Sequence, residues 1–177
     1  MTATEAAARG LFRSRSRAWL VAYSILGAAG GAALAARRGR TPSKASGRNR
    51  AAVVTGLGLA AVGYQVGRAA LGDRPTAPPA EPLWLEAMAL AGVIAPVEEI
   101  IWGGLVQPAF GVVGTSALFA AKHVAIDGRW RRALGLALFG LGLGLLRQRS
   151  RALALTIHVA SNAGGAALGH LTGRDQF

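Results

Sequence analysis

"LWLEAMALAGVIAPVEEIIWGGLV", Leu83 to Val106, is long and apolar enough to cross a bilayer, yet it carries two adjacent carboxylates, Glu98 and Glu99. The hydrocarbon core of a membrane takes about 20 helical residues. An ionised acid near its centre costs roughly 2.5–3.5 kcal/mol on insertion scales, so such an acid is a functional suspect. The surroundings sharpen the conflict. Upstream of the pair the stretch has one charge, Glu86, and downstream the chain is uncharged from Ile100 until Lys122.

The rest of the chain argues for the membrane. Of its 177 residues 52% are apolar and 16% charged, against about 25% charged in a soluble domain. A lipid-facing surface accounts for the deficit. The net charge of +12 raises the question of nucleic acid. However, the arginines fall between apolar runs and the aromatics do not interleave with them, which is membrane-flanking charge and not a phosphate-binding face. No nucleic-acid partner is expected; a lipid bilayer is. With no cysteine there is neither a disulfide framework nor thiolate chemistry.

Apolar segments recur at Trp19–Ala36, Ala51–Gly67, Leu83–Val106, Phe110–Ile126, Ala133–Leu146 and Ala152–Leu171. Backbone groups in hydrocarbon must bond within their own segment, and no alternating strand pattern competes. The expectation is an all-α fold, a polytopic transmembrane helix bundle of about six helices. Residues 1–71 would form an N-terminal pair of helices with a basic loop at 37–50, residues 72–82 a proline-rich linker, and residues 83–177 the core that bears the chemistry. Ala133–Leu146 is short for a crossing unless its flanking arginines snorkel to the interface. Small-residue pairs such as Gly27/Gly31, Gly63/Gly67 and Gly165/Gly169 suit close helix approach. Arginines before Trp19 and the "AALAA" after it resemble a signal peptide, but the apolar run is longer than a usual signal core, so a retained helix is favoured. Ten basic residues fall to one side of the alternating loops and nine to the other, so the positive-inside rule gives no orientation.

Few polar groups remain at membrane depth: Glu98, Glu99, Lys122, His123, His158 and Asn162. Each has an ordinary reading. Pro96 ahead of two acids is a good helix start, Lys122 can snorkel, and a lone His158 can bond a neighbouring helix. Together they form a pattern. Glu98/Trp102, Phe119/His123 and His158/Asn162 are each four apart, on one helical face. Acid, two imidazoles and an amide suit attack of water on a carbonyl. Glu98, His123 and His158 are also an acceptable zinc set completed by water; metal-free hydrolysis is favoured because Asn162 fits an oxyanion role better than a ligand role. His170 lies about 120° around the helix from His158 and reads as interfacial. Glu86 reads as a helix-entrance residue in the headgroup region beside Trp84.

"EEIIW" (98–102), "FAAKH" (119–123) and "HVASN" (158–162) resemble, in order, the E-E, F-x-x-x-H and H-x-x-x-N motifs of the CAAX-protease and bacteriocin-processing family (CPBP, or Abi). These are intramembrane proteases akin to type II CAAX prenyl endopeptidases. The resemblance covers about residues 83–170. It implies Glu98 as general base, His123 as its partner in holding water, and His158 and Asn162 as the oxyanion site. Glu99 would be a structural second carboxylate, with Phe119 and Lys122 supporting. The family motif continues E-E-x-x-x-R, and here Gly103 stands at the arginine position. Either another cation replaces it beside Glu99, Lys122 being the nearest in kind, or Glu99 stays protonated, or the site is degraded.

The expected function is an intramembrane endopeptidase acting on a membrane-associated, prenylated or leader-type peptide or protein, in a bacterial-type cytoplasmic membrane. The alternatives are a catalytically silent membrane immunity or partner-binding protein on the same scaffold, supported by Gly103, and a small transporter. No internal repeat supports the transporter.

Overall fold

A computed structural model describes residues 14–36, 50–73 and 78–176. The arginines before Ser14, all of the basic loop except Arg50, and linker residues 74–77 lie outside the described residues. What is described is helical, with no strand. Five helical runs appear where about six were expected: α1 (Arg15–Ala36), α2 (50–70), α3 (83–127), α4 (Ala133–Arg147) and α5 (Arg151–Thr172). The third and fourth expected segments share α3. Gly111 interrupts it with φ 67° and ψ −178°, a backbone that a residue with a β-carbon rarely adopts. The limb after Gly111 folds back on the limb before it, setting the Phe119 ring 5.7 Å from that of Trp102.

Pro96 does not start a helix, contrary to the sequence reading. It lies inside the first limb of α3, with αR backbone at Ile94 before it and Glu99 after it. A proline there removes one backbone donor and crowds the preceding turn. The helix accommodates it with widened π turns on both sides, Met88–Ile94 and Glu99–Val106, a distortion often found at functional sites. The second of these opens on Glu99.

Among the described residues, two stretches are long and apolar enough to cross a bilayer, Arg15–Ala36 and Leu83–Ile126. Large apolar side chains cover the outside: Val21, Ile25, Val54, Val62, Val113 and Ile126 are all exposed. The shortness of α4 has a different cause from the one expected. At 15 residues it rises only about 22 Å, but α2, α3 and α5 surround it, and Leu136, Phe139, Leu143 and Leu146 are buried. Two of its flanking arginines do not snorkel, although Arg131 and Arg149 are exposed. Arg132 and Arg147 turn inward, their side chains about 5% exposed or less.

Glycines set the closest approach. On α2, a β-carbon at Gly67 would lie 2.5 Å from Gly135 N, and on α4 one at Gly142 would lie 2.6 Å from Ala60 N. The two backbones therefore touch, as small residues permit in lipid. Helix α1 packs on the first limb of α3, with Gly27 against Val97 and Gly30 against Ile100; Gly31 of the expected pair faces open space.

The two ends of the bundle differ. At one end Arg15 pairs with Glu86 and Asp175, and His170 Nε2 lies 3.0 Å from the other Glu86 oxygen. Glu86 is at a helix entrance as expected, but it is 2% exposed, because Arg15 and His170 close over it. At the same end Ser14 Oγ accepts from Arg17 N at 3.2 Å, capping α1, and Glu81 accepts from Ser16 N at 2.9 Å and from both serine hydroxyls. Partial burial pushes the Glu81 carboxyl up, but these donors and Arg15 outweigh it and hold the group below the usual carboxylate range. A carboxyl depressed by folding stabilises above its unfolded value and loses that contribution as pH falls through its folded value. Hydrogen-exchange protection of the Ser16 and Arg17 amides should therefore decline between neutral pH and about pH 3. Glu81→Gln should remove that decline and lower protection at neutral pH.

Candidate active site

A cavity of about 510 Å³ lies within the bundle, lined by all five helices. Its walls are mostly apolar, including Trp19, Leu90, Ile94, Leu136 and Leu168, and its polar floor is Glu98, Lys122, His123, His158 and Asn162. The residues singled out at membrane depth thus meet at one place, apart from Glu99, which adjoins it behind His158.

Glu98 sits in the first limb of α3, two residues after Pro96, and is 2% exposed. Its two oxygens have different company. Oε1 accepts from Lys122 Nζ and, at 2.9 Å, from Tyr23 OH of α1; Lys122 also reaches the Tyr23 oxygen at 3.0 Å. Lys122 therefore does not snorkel. The apolar neighbourhood, with the Tyr23, Trp102 and Phe119 rings within 6 Å of the ammonium, favours pairing it with the buried carboxylate. Oε2 faces His158 Nε2 at 3.6 Å.

The two imidazoles are oriented from behind. His123 Nδ1 lies 2.9 Å from the carbonyl of Phe119, one turn back on the same helix. If Nδ1–H donates there, Nε2 is left as an acceptor, and it lies 3.9 Å from Glu98 Oε1. That is within the roughly 6 Å that a bridging water spans. His158 Nδ1 lies 2.9 Å from Glu99 Oε1. Phe119, 3% exposed, is wedged among these rings, 4.5 Å from His123 and 6.3 Å from His158 between centroids. Asn162 is buried one turn beyond His158, and its amide donates to Leu90 O at 2.9 Å, leaving the amide's second hydrogen for the cavity.

Glu99 has the cation it needs, but not Lys122. Arg147, at the end of α4, grips it in a fork, Nε to Oε2 at 2.6 Å and Nη2 to Oε1 at 2.7 Å. Gln107 steadies the guanidinium, accepting from Nη1 at 3.2 Å while donating to Gly144 O at 3.1 Å. Gly103 is what admits this arginine. A β-carbon there would lie 2.8 Å from Arg147 Cδ and 3.0 Å from Nε. The guanidinium arrives from another helix into the space that a side chain at 103 would fill.

Arg147, Tyr23 and Gln107 are the site residues that the sequence reading missed. Tyr23 offered a signal, since a tyrosine within an apolar span needs a partner for its hydroxyl. Arg147 offered none: it reads as one of three arginines in the loop "RQRSR". His170 is outside the cavity, at the Glu86 cluster.

Zinc fits poorly. Glu98, His123 and His158 were the possible ligands, but the Lys122 ammonium already holds Glu98 Oε1 where a metal would compete for it. Among the described residues no set of three or more His, Cys, Asp or Glu side chains is gathered to hold a metal.

Residues 80–164 match the family model described as type II CAAX prenyl endopeptidase Rce1-like. That relates the motif-bearing part of the chain to the CAAX proteases, a membrane-embedded family, in keeping with the two apolar spans. No curated protein and no solved structure matches the chain.

Proposed function

We propose, starting from that relation, that this membrane protein is an intramembrane endopeptidase of a bacterial-type cytoplasmic membrane. It would cleave a peptide bond in a membrane-associated substrate, a prenylated or leader-type segment among the candidates. One observation carries the reading: a buried carboxylate, Glu98, faces two imidazoles at 3.6 and 3.9 Å on the floor of a largely apolar cavity.

In this mechanism Lys122 and Tyr23 pin Glu98 through Oε1, and water binds between the Glu98 carboxylate, His123 Nε2 and the scissile carbonyl. Glu98 takes one proton as the water oxygen attacks. His158, held at Nδ1 by Glu99, turns Nε2 toward the developing oxyanion, to which a ring N–H there would donate, and Asn162 adds its free amide hydrogen. Collapse of the tetrahedral intermediate breaks the C–N bond, and the proton held by Glu98 passes to the leaving amine. Apolar walls exclude competing water and strengthen each charge interaction.

Profiling of new N- and C-terminal peptides in membranes with and without the chain tests the reading. Wild-type membranes should contain a product that is lost in His158→Ala membranes and retained with His170→Ala, since His170 lies at the Glu86 cluster. No product difference in any membrane would remove the protease assignment. EDTA should leave cleavage intact; loss restored by zinc would overturn the metal-free mechanism while keeping the same residues central. Lys122 gives a finer check. A hydrogen bond to a charged partner contributes about 1.5–3 kcal/mol, so Lys122→Met should lower kcat by roughly tenfold to a hundredfold with a smaller change in KM. An equal loss through KM alone would place Lys122 in substrate binding.

A further inference from the structure

A second cavity, of about 280 Å³, opens at the opposite end of the bundle from Arg15. Leu34, Ile100, Gly103 and Leu155 give it an apolar wall, and Glu99, Arg147 and Arg151 line it as well. It lies on the far side of the Glu99–Arg147 pair from the catalytic floor and shares no lining residue with the larger cavity.

The charge around it is one-sided. Arg147, Arg149 and Arg151 fall within five positions, and the sequence has no acid between Asp127 and Asp175. Helix α1 ends here, with Leu34 in the wall. The carboxylates of the connections fall at the Arg15 end: Asp73, Glu81 and Asp175. Arg147 is neutralised by Glu99. Arg151 is exposed, and its guanidinium has no hydrogen-bond or ion-pair partner among the described residues.

We propose that this cavity is a binding site for an anionic phospholipid, with its phosphodiester at Arg151 and an acyl chain along Leu34, Ile100 and Leu155. An apolar slot that ends at an unneutralised cation near the membrane surface matches both halves of such a molecule. A zwitterionic lipid would bring its own cation into the same field and gain less. Basic pockets between transmembrane helices hold anionic headgroups by this arrangement, each basic residue near the surface contributing measurably to the attraction. The occupant would lie against Arg147, next to the pair that orients His158.

The test is a lipid titration of the full-length chain in neutral detergent, read by native mass spectrometry and thermal unfolding. Phosphatidylglycerol should remain bound as a single adduct and raise the unfolding temperature; phosphatidylcholine with the same acyl chains should do so much less. Arg151→Gln should weaken phosphatidylglycerol binding about fivefold, Arg151→Lys should retain most of it, and Ala152→Phe, at the slot's edge, should block it by filling the space. Equal retention of both lipids, or binding undiminished in both Arg151→Gln and Ala152→Phe, overturns the site. The same stabilisation by inorganic phosphate alone would replace the lipid with a free anion. The site does not depend on the protease reading: Glu98→Gln should bind phosphatidylglycerol like the wild type even where it cleaves nothing.

Discussion

Glu98→Gln should reduce product formation on the order of 10²–10⁴-fold while leaving the fold in place. The carboxamide keeps the size of the side chain and can still accept from Tyr23 OH, which lies 2.9 Å from the carboxylate. What it lacks is a site for the proton of the attacking water. Lys122 would lose its counter-charge but retain the Tyr23 hydroxyl at 3.0 Å and three aromatic rings within 6 Å. A modest fall in unfolding temperature is therefore expected alongside a near-total loss of turnover. The measurement is single-turnover cleavage of a substrate identified by terminal-peptide profiling, with unfolding followed on the same preparation. If Glu98→Gln cleaves at the wild-type rate, Glu98 is no base and water activation must come from elsewhere. If the chain confers its cellular effect equally well with Glu98→Gln, the effect is one of binding.

Arg147→Met should destabilise the bundle by about 3–5 kcal/mol, the usual consequence of removing one partner from a buried ion pair. Glu99 would be left with His158 Nδ1 alone, and the imidazole would lose its fixed orientation, so cleavage should also fall. Lysine cannot restore a two-pronged grip. Moving the arginine can. Residue 103 is four positions after Glu99, where a side chain on the same helical face can reach it, and its β-carbon would point into the space that Arg147 now fills. Gly103→Arg alone should be destabilising through that collision and through the like charge. Gly103→Arg combined with Arg147→Gly should recover most of what either single change loses. Chemical denaturation of the wild type, Gly103→Arg, Arg147→Gly and their combination in one detergent gives the coupling energy directly. A double variant no more stable than Arg147→Gly would mean that the origin of the guanidinium on α4 matters in itself.

The site was legible where chemistry and spacing coincide. Glu98, His123, His158 and Asn162 announced themselves as polar groups in apolar helices at four-residue spacing, and the structure gathers them about one cavity. The partner of Glu99 was not legible, because it stands 48 positions away in a stretch indistinguishable from membrane-flanking charge. That arginine also removes the main ground for a silent scaffold, since Gly103 does not leave Glu99 unpaired. All-helical structure followed from the need to bond the backbone in lipid. The number of runs did not, because a glycine that reverses a chain looks the same in sequence as one that packs in a seam. Gly111, at φ 67°, does the first, and Gly67 does the second. Pro96 misled for a related reason. Its usual place is a first turn, but widened turns let it sit mid-helix beside the acids.

The contact between Gly67 and Gly135 has a consequence for how the molecule is made. Roughly 70 residues separate them, so on a ribosome adding ~5–20 residues per second, α2 exists for on the order of 4–14 s before α4 emerges. During that interval its glycine face has only lipid or the insertion machinery against it. Helix α1 waits about as long, since Val97 and Ile100, which receive Gly27 and Gly30, lie just as far along the chain, but its wait ends before that of α2 does. His158 and Asn162 come last, on α5. A nascent chain halted before α5 would have Glu98 and Lys122 in place but neither residue of the proposed oxyanion site. A membrane quality-control protease would meet its most exposed substrate between the synthesis of α2 and that of α4, and variants that bulk up either glycine should be cleared there, before any folded protein accumulates.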